Sequence, residues 1–162
     1  MGYEKINNIK LKKKIIVDLD VTTVAFWDNK DEAKLIAKIK SGMFFVITPY
    51  VLIDHLSKWN HRKLADQITN FYDIYSSHIV SAQNILDKMR DLNADYGKLL
   101  MELVNLGVKE EDVILVIVSG IFNADYLVTF NRKHLKSKEK EINGVLSKNG
   151  IGTIKIVFPK EL

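Results

Sequence analysis

Three aspartates and one asparagine stand where apolar segments begin, end or turn. Asp18 closes Ile15-Ile16-Val17, and Asp54 lies within Tyr50-Val51-Leu52-Ile53-Asp54-His55-Leu56. Asp112 opens Val113 to Val118, and Asn131 follows Tyr126-Leu127-Val128-Thr129-Phe130. Apolar flanks orient such side chains rigidly, and carboxylates brought together repel one another until a cation restores their ionised forms. Hard divalent ions such as Mg²⁺ or Mn²⁺ take oxygen ligands, keep several waters and are held by a few carboxylates together with substrate phosphate. Three Asp and one Asn supply such a set, and a water activated there can attack phosphorus in line.

Singly, each residue has a plainer role. Asp112 favours a helix N-terminus, Asp18 ends a strand, and Asn131 suits an Asx-turn. Asp54 is harder to dismiss, because an acid among apolar neighbours in a helix carries a desolvation cost unless paired or metal-bound. It is the conjunction that points to a metal site. Basic residues cluster at 10 to 14, 58 to 63 and 132 to 140, within a formal charge of +4. Two clusters flank the acids: Lys58, Arg62 and Lys63 after Asp54, and Arg132 and Lys133 after Asn131. Acid flanked by base suits a site that handles phosphate.

The four histidines, His55, His61, His78 and His134, show no metal-ligand pairing at i, i+4 with an acid. Trp59, Phe71, Tyr72 and Tyr75 read as core or dimer interface rather than as a base-stacking platform, while Phe26 and Trp27 stay open to stacking.

The elements that must position these residues can be read from periodicity. Ile15 to Asp18 is a buried strand, continuous in apolar character. Asp31 to Ser41 reads as a helix with an acidic first turn and Gly42 as the residue after its end. Met43 to Thr48 is a second strand, and Thr48-Pro49 reads as an N-cap with proline at the first helical position of a helix reaching Trp59. Residues 62 to 76 and 82 to 106 read as two helices, with a short strand near His78 to Val80 between them and Gly107 closing the second. Val113 to Val118 has the β-branched content of a strand. Its acidic lead-in and the nearby strand Tyr126 to Thr129 favour a helix, because parallel strands need one between them. Lys136 to Asn149 is a helix or loop, and Thr153 to Val157 a last strand. The order β-α-β-α-α-β-α-α-β-α-β gives an α/β layout around a central, mostly parallel sheet, in one domain over residues 1–162. Ligands of such sheets bind beyond the carboxyl ends of the strands, where Asp18 and Asn131 fall.

With no Cys, disulfides, thiolate metal sites and cysteine nucleophiles are excluded. The opening Met1-Gly2-Tyr3-Glu4-Lys5 leads into lysines without the apolar core of an export signal, and it lacks a myristoylation pattern. No apolar run approaches the ~20 residues that span a bilayer. A cytoplasmic protein without a membrane segment is expected.

On these residues the chain resembles the PIN-domain ribonucleases, in layout the VapC-type toxins. The opening pattern Ile16-Val17-Asp18-Leu19-Asp20-Val21, Asp54 after Thr48-Pro49, and Asp112 leading to Ala124-Asp125-Tyr126-Leu127-Val128-Thr129 are each similar to a family motif. Asn131 matches the fourth polar position, with Arg132-Lys133-His134-Leu135 as its continuation. Asp54 stands for the more common Glu, and Asp20 for Asn or Ser. The resemblance implies a PIN-like three-layer α/β/α sandwich and an endoribonuclease acting on single-stranded or structured RNA. It implies that Asp18, Asp54 and Asp112 hold Mg²⁺ or Mn²⁺, that Asn131 positions a water, and that Arg132 or Lys133 meets phosphate. It also implies a homodimer and a small antitoxin protein as partner.

Two other readings remain. Ile15-Ile16-Val17-Asp18-Leu19-Asp20-Val21-Thr22 also resembles the first motif of haloacid-dehalogenase-type phosphatases, in which Asp18 would attack phosphorus and Asp20 would serve as acid and base. A PIN fold that binds RNA or protein with little catalysis is the other.

Overall fold

In the computed structural model, residues 11–28 and 31–162 are described. The reading of Met1 to Lys5 as lacking an export signal, Lys10 of the first basic cluster, and the acidic side chains of residues 31 and 32 lie outside what is described. Among the described residues, five strands form one parallel sheet in the order β3-β2-β1-β4-β5. These are β1 (Lys13–Val17), β2 (Phe44–Pro49), β3 (Ser76–Val80), β4 (Tyr126–Val128) and β5 (Ile156–Val157).

Ile15, Ile16 and Val17 are fully buried, as both faces of a central parallel strand must be when helices cover them. Helices α1 (Leu19–Asp28), α2 (Asp31–Lys40), α3 (Tyr50–Ser57) and α4 (Arg62–Tyr75) pack among themselves. Helices α5 (Ala82–Asp91), α6 (Tyr96–Asn105), α7 (Glu110–Ile121) and α8 (Glu139–Lys148) form the second group, with α7 seated on β1, β2 and β4. Right-handed crossovers require this division: the chain moves one way from β1 to β3, then returns over the sheet to β4 on the other face. The result is the three-layer α/β/α sandwich. Val113 to Val118 is helical, so its burial on the sheet overrides its β propensity.

Three elements differ from expectation. Helix α1 was not legible, because Val21-Thr22-Thr23-Val24 is β-branched and carries weak helix propensity. In the fold the Thr22 and Thr23 hydroxyls donate back to Leu19 O at 3.0 and 2.6 Å, satisfying themselves within the helix. The expected helix over 82 to 106 is two helices, α5 and α6. Asn93 adopts φ 52°, the left-handed conformation Asn tolerates, and Asp95 accepts from Lys98 N at 3.1 Å to start α6. The apolar spacing runs through that break and hides it. Pro49 ends β2 and caps α3 from outside rather than entering its first turn, while the Thr48 hydroxyl pairs with Ser76 Oγ at 2.6 Å. Gly42 and Gly107, with φ 81° and 91°, do end α2 and α6 as expected.

Below the carboxyl end of β1 lies a polar brace. The buried Tyr72 of α4 donates its hydroxyl to Val17 O at 2.8 Å and meets Thr22 Oγ1 at 3.2 Å. Burial pushes that phenol's pKa upward, so it remains a neutral donor. It ties α4 to the end of β1, where Asp18 follows.

Candidate active site

The strand order reverses at β1 and β4, one leading to β2 and the other to β5, and the crevice beyond their carboxyl ends is the natural ligand site of such sheets. Asp18 extends β1 by donating its N–H to Val128 O at 2.9 Å, and its carbonyl accepts from Val21 N to begin α1. Its carboxylate is held at both oxygens: Oδ1 accepts from Leu19 N at 2.7 Å, and Oδ2 from the Thr129 hydroxyl at 2.8 Å. Asp20 reaches the same strand end, where its Oδ2 accepts from Phe130 N at 3.1 Å. Among the described residues, Asp20 Oδ1 is buried without a hydrogen-bond partner.

Asp112, in the first turn of α7, accepts from Asn131 Nδ2 at 3.0 Å. Asn131 is locked in turn, its N–H donating to Thr129 Oγ1 and its Oδ1 accepting from His134 N, both at 3.0 Å. The Asx-turn and the site role therefore coexist in one residue.

These carboxyls bind protons unusually well. Burial raises Asp18, against the pull of its Thr129 bond and with Glu111 adding to the rise. Burial, then the charge of Asp18, pushes Asp20 up to about 7. Burial, then Asp18 and Glu111, pushes Asp112 up to about 6. Each senses a neighbouring anion, so the three form one electrostatic cluster.

The cluster opens into a cleft of about 470 Å³ to which three helices each contribute one stripe. Helix α1 presents Asp20, Thr23 and Val24, and α7 presents Glu111, Asp112 and Leu115. Val51 and His55, four residues apart, come from one face of α3, and Trp59 joins them from the turn after its end.

Of the expected site residues, Asp18, Asp112 and Asn131 come together here and Asp54 does not. Asp54 is exposed and outside the cleft lining. Helix α3 buries Leu52 and Leu56, one turn apart, and a residue two positions after Leu52 points to the opposite side. The apolar neighbours of Asp54 thus belong to another face, and the desolvation inferred from sequence does not arise. Arg132 and Lys133 are exposed and also stand off the lining; the Arg132 guanidinium lies 5.2 Å from the Phe158 ring centroid. Lys109 is the basic residue that reaches the cleft. Arg62, expected near phosphate, donates instead to Leu56 O, Ser57 O and Trp59 O at 3.1 to 3.2 Å, closing the end of α3.

Sequence reasoning missed Thr129 as the clamp, and also His55 and Glu111. The 51/55/59 spacing was the available signal for His55, obscured by the acid beside it.

The donor set suits a hard cation in part. Buried carboxylates of raised proton affinity and an unpartnered oxygen on Asp20 are what an oxygen-seeking ion would satisfy. Among the described residues no three His, Asp or Glu side chains stand close enough to form a ready cage. Mg²⁺ needs only one or two carboxylates with waters and substrate phosphate, so Asp18, Asp20 and Asp112 fit it in that water-rich mode.

No family model matches the chain, and no curated protein matches it. Among solved structures it is similar to a chain in the crystal structure of VapBC2 from Rickettsia felis bound to a DNA fragment from their promoter. That likeness has a TM-score of 0.57 at 16% identity and covers 89% of this chain and 98% of the other. At that identity it is a likeness of fold. The five parallel strands, the helices on both faces and this shared architecture give the chain a PIN-like α/β/α fold.

Proposed function

We propose that the chain is a Mg²⁺- or Mn²⁺-dependent endoribonuclease that hydrolyses phosphodiester bonds of single-stranded or structured RNA. The observation that carries this reading is the acid cluster of Asp18, Asp20 and Asp112 at the sheet's switch point, with proton affinities raised by burial and, at Asp20 and Asp112, by the charge of Asp18. Such a cluster has a use for a divalent cation and none for a bare anion. When bound, the ion supplies positive charge for the phosphoryl oxygens and lowers the proton affinity of a water. Asp18 and Asp112 would hold it, with Asp20 as a third oxygen donor. Thr129 orients Asp18, and Asn131 fixes the Asp112 carboxylate by its amide. Lys109 would meet a phosphate oxygen at the cleft mouth.

In labelled-RNA cleavage assays, Asp18→Asn and Asp112→Asn should each lower the rate by roughly 10³-fold, the several kcal/mol such an ion contributes, while the circular dichroism spectrum stays unchanged. Full activity in both variants would sink the reading. Chelator should silence the wild type and Mn²⁺ restore it. RNA binding without cleavage under every divalent ion would favour a binding module instead.

A second reading draws on Asp20, whose carboxyl, pushed up to about 7 two residues after Asp18, suits the proton donor of a haloacid-dehalogenase-type phosphatase. Against it, α1 starts at Leu19 and Asp20 Oδ2 is engaged by Phe130 N. Turnover of a small phosphomonoester that Asp20→Asn abolishes would favour the phosphatase. A nuclease should lose RNA cleavage only modestly in the same variant.

The VapBC2 likeness supports a further part of the proposal, that a small antitoxin protein binds this chain; that the chain pairs with itself is part of the proposal without that support. Size-exclusion chromatography with light scattering, of the chain alone and co-expressed with a neighbouring open reading frame, tests both. A monomer that captures no partner argues against them.

A further inference from the structure

The cleft has two chemically opposed halves. One is the acid cluster; the other is the α3 wall of Val51, His55 and Trp59. Trp59 is half-buried, and its polypeptide is held on both sides: its N–H donates to Leu56 O at 3.2 Å, and its carbonyl accepts from Arg62 Nη1 at 3.1 Å. Arg62 anchors the same turn by two further carbonyls, so the indole is presented from a fixed backbone. The aromatic residues first grouped with it behave differently. Phe71 and Tyr72 are buried in the core, and Phe26 packs on Phe71 at 5.6 Å. Trp59 alone of that group turns toward the acids.

A ligand filling both halves needs an anionic group that a cation can bridge to carboxylates, and beside it a flat, weakly polar face. An unpaired nucleotide has both. We propose that the Val51–His55–Trp59 wall is a nucleobase subsite, in which the base next to the scissile phosphodiester of single-stranded RNA stacks on Trp59. The proposal rests on the nuclease reading and names what that nuclease would require of its substrate: a base free to leave its own stack. Duplex RNA cannot offer one without unpairing.

The chain has two tryptophans, so a Trp27→Phe variant leaves Trp59 as the only indole reporter. Its fluorescence is titrated in Ca²⁺ with a short single-stranded RNA carrying slowly cleaved phosphorothioate linkages, which keeps a cation to bridge phosphate and carboxylates and separates binding from catalysis. The intact oligonucleotide should quench Trp59, and an analogue abasic at one position should bind roughly ten-fold more weakly, within the range of base–aromatic stacking. Trp59→Leu, in an otherwise unaltered chain and read by fluorescence anisotropy of labelled RNA, should lose a similar factor, while Trp59→Phe keeps most of the affinity. Equal binding of intact and abasic RNA, or RNA binding that leaves Trp59 unquenched, overturns the subsite. The abasic comparison needs no substitution at Trp59, so misfolding of Trp59→Leu leaves the test intact. Because no turnover is measured, failure of cleavage in the separate assay counts against the nuclease and not against the subsite.

Discussion

A single hydroxyl serves two carboxylates at the end of β4. Thr129 Oγ1 stands 2.8 Å from Asp18 Oδ2 and 3.4 Å from Asp20 Oδ2, and it accepts from Asn131 N at 3.0 Å. Its proton goes to the nearer oxygen, which lowers the proton affinity of Asp18 against the burial that raises it. Thr129→Val keeps the shape and deletes the hydroxyl. The buried groups left unpaired should cost about 1–3 kcal/mol in urea unfolding. RNA cleavage should fall about 10- to 100-fold, the usual cost of losing a group that orients a ligand. By contrast Asp54→Asn should change turnover by less than about two-fold, as exposed substitutions away from special features do. A large loss there would return Asp54 to the site.

The same residues set a pH dependence. Asp20 and Asp112 bind protons more tightly in the folded chain, with pKa values pushed from 3.8 to about 7 and about 6. Their contribution to stability is therefore complete below the unfolded value and is lost as pH rises through the folded values. The metal-free protein should show a urea midpoint that falls between pH 5 and pH 8. Asp20→Asn, which cannot ionise, should flatten the fall, and an unchanged slope would contradict the clustering of charge.

Among the elements, α7 is the most closely fitted. A Cβ at Gly120 would lie 2.5 Å from Ile151 Cγ2 and 3.0 Å from Gly152 O, so the loop ahead of β5 rests directly on the helix backbone. Gly120→Ala should destabilise by about 1–3 kcal/mol through overpacking, despite alanine's better helix propensity. Equal or greater stability by urea unfolding would show that the loop can move aside.

Such tertiary fits explain what could be read in advance. The continuous burial of Ile15-Ile16-Val17 and the acidic start of α7 were plain, because patterning and end signals agree there. So were the ends of the elements carrying Asp18, Asp112 and Asn131. Helix α1 was hidden by β-branched residues whose helical state depends on packing, and the α5–α6 break by apolar spacing that continues across Asn93. The facing of α3 was the costliest gap. Asp54 and His55 are adjacent in sequence, and only the helix's rotation against its neighbours decides which of them enters the cleft.

For the molecule as a whole, the sign of the charge changes with place: +4 in total, yet acidic where the sheet opens. A divalent cation should bind the folded chain and so raise its melting temperature by mass action. The rise should be larger at pH 8 than at pH 5, because protons compete for the same carboxylates. Differential scanning fluorimetry with Mg²⁺ and Mn²⁺ reads this without any substrate. An equal rise at both pH values would place the ion elsewhere. Among the described residues no helix is long and apolar enough to cross a membrane.

The bond from Thr129 to Asp18 spans 111 residues of sequence, and among the described residues two further strands and seven helices separate β1 from its neighbour β4. On a ribosome this imposes an order in time. A nascent chain stalled between Asp112 and Tyr126 carries every aspartate of the cluster but lacks the strand end that gathers them, and one stalled earlier lacks Asp112 as well. Catalysis of the proposed kind would then be withheld from every such fragment, and a cell making this protein would meet its activity only from chains translated through β4.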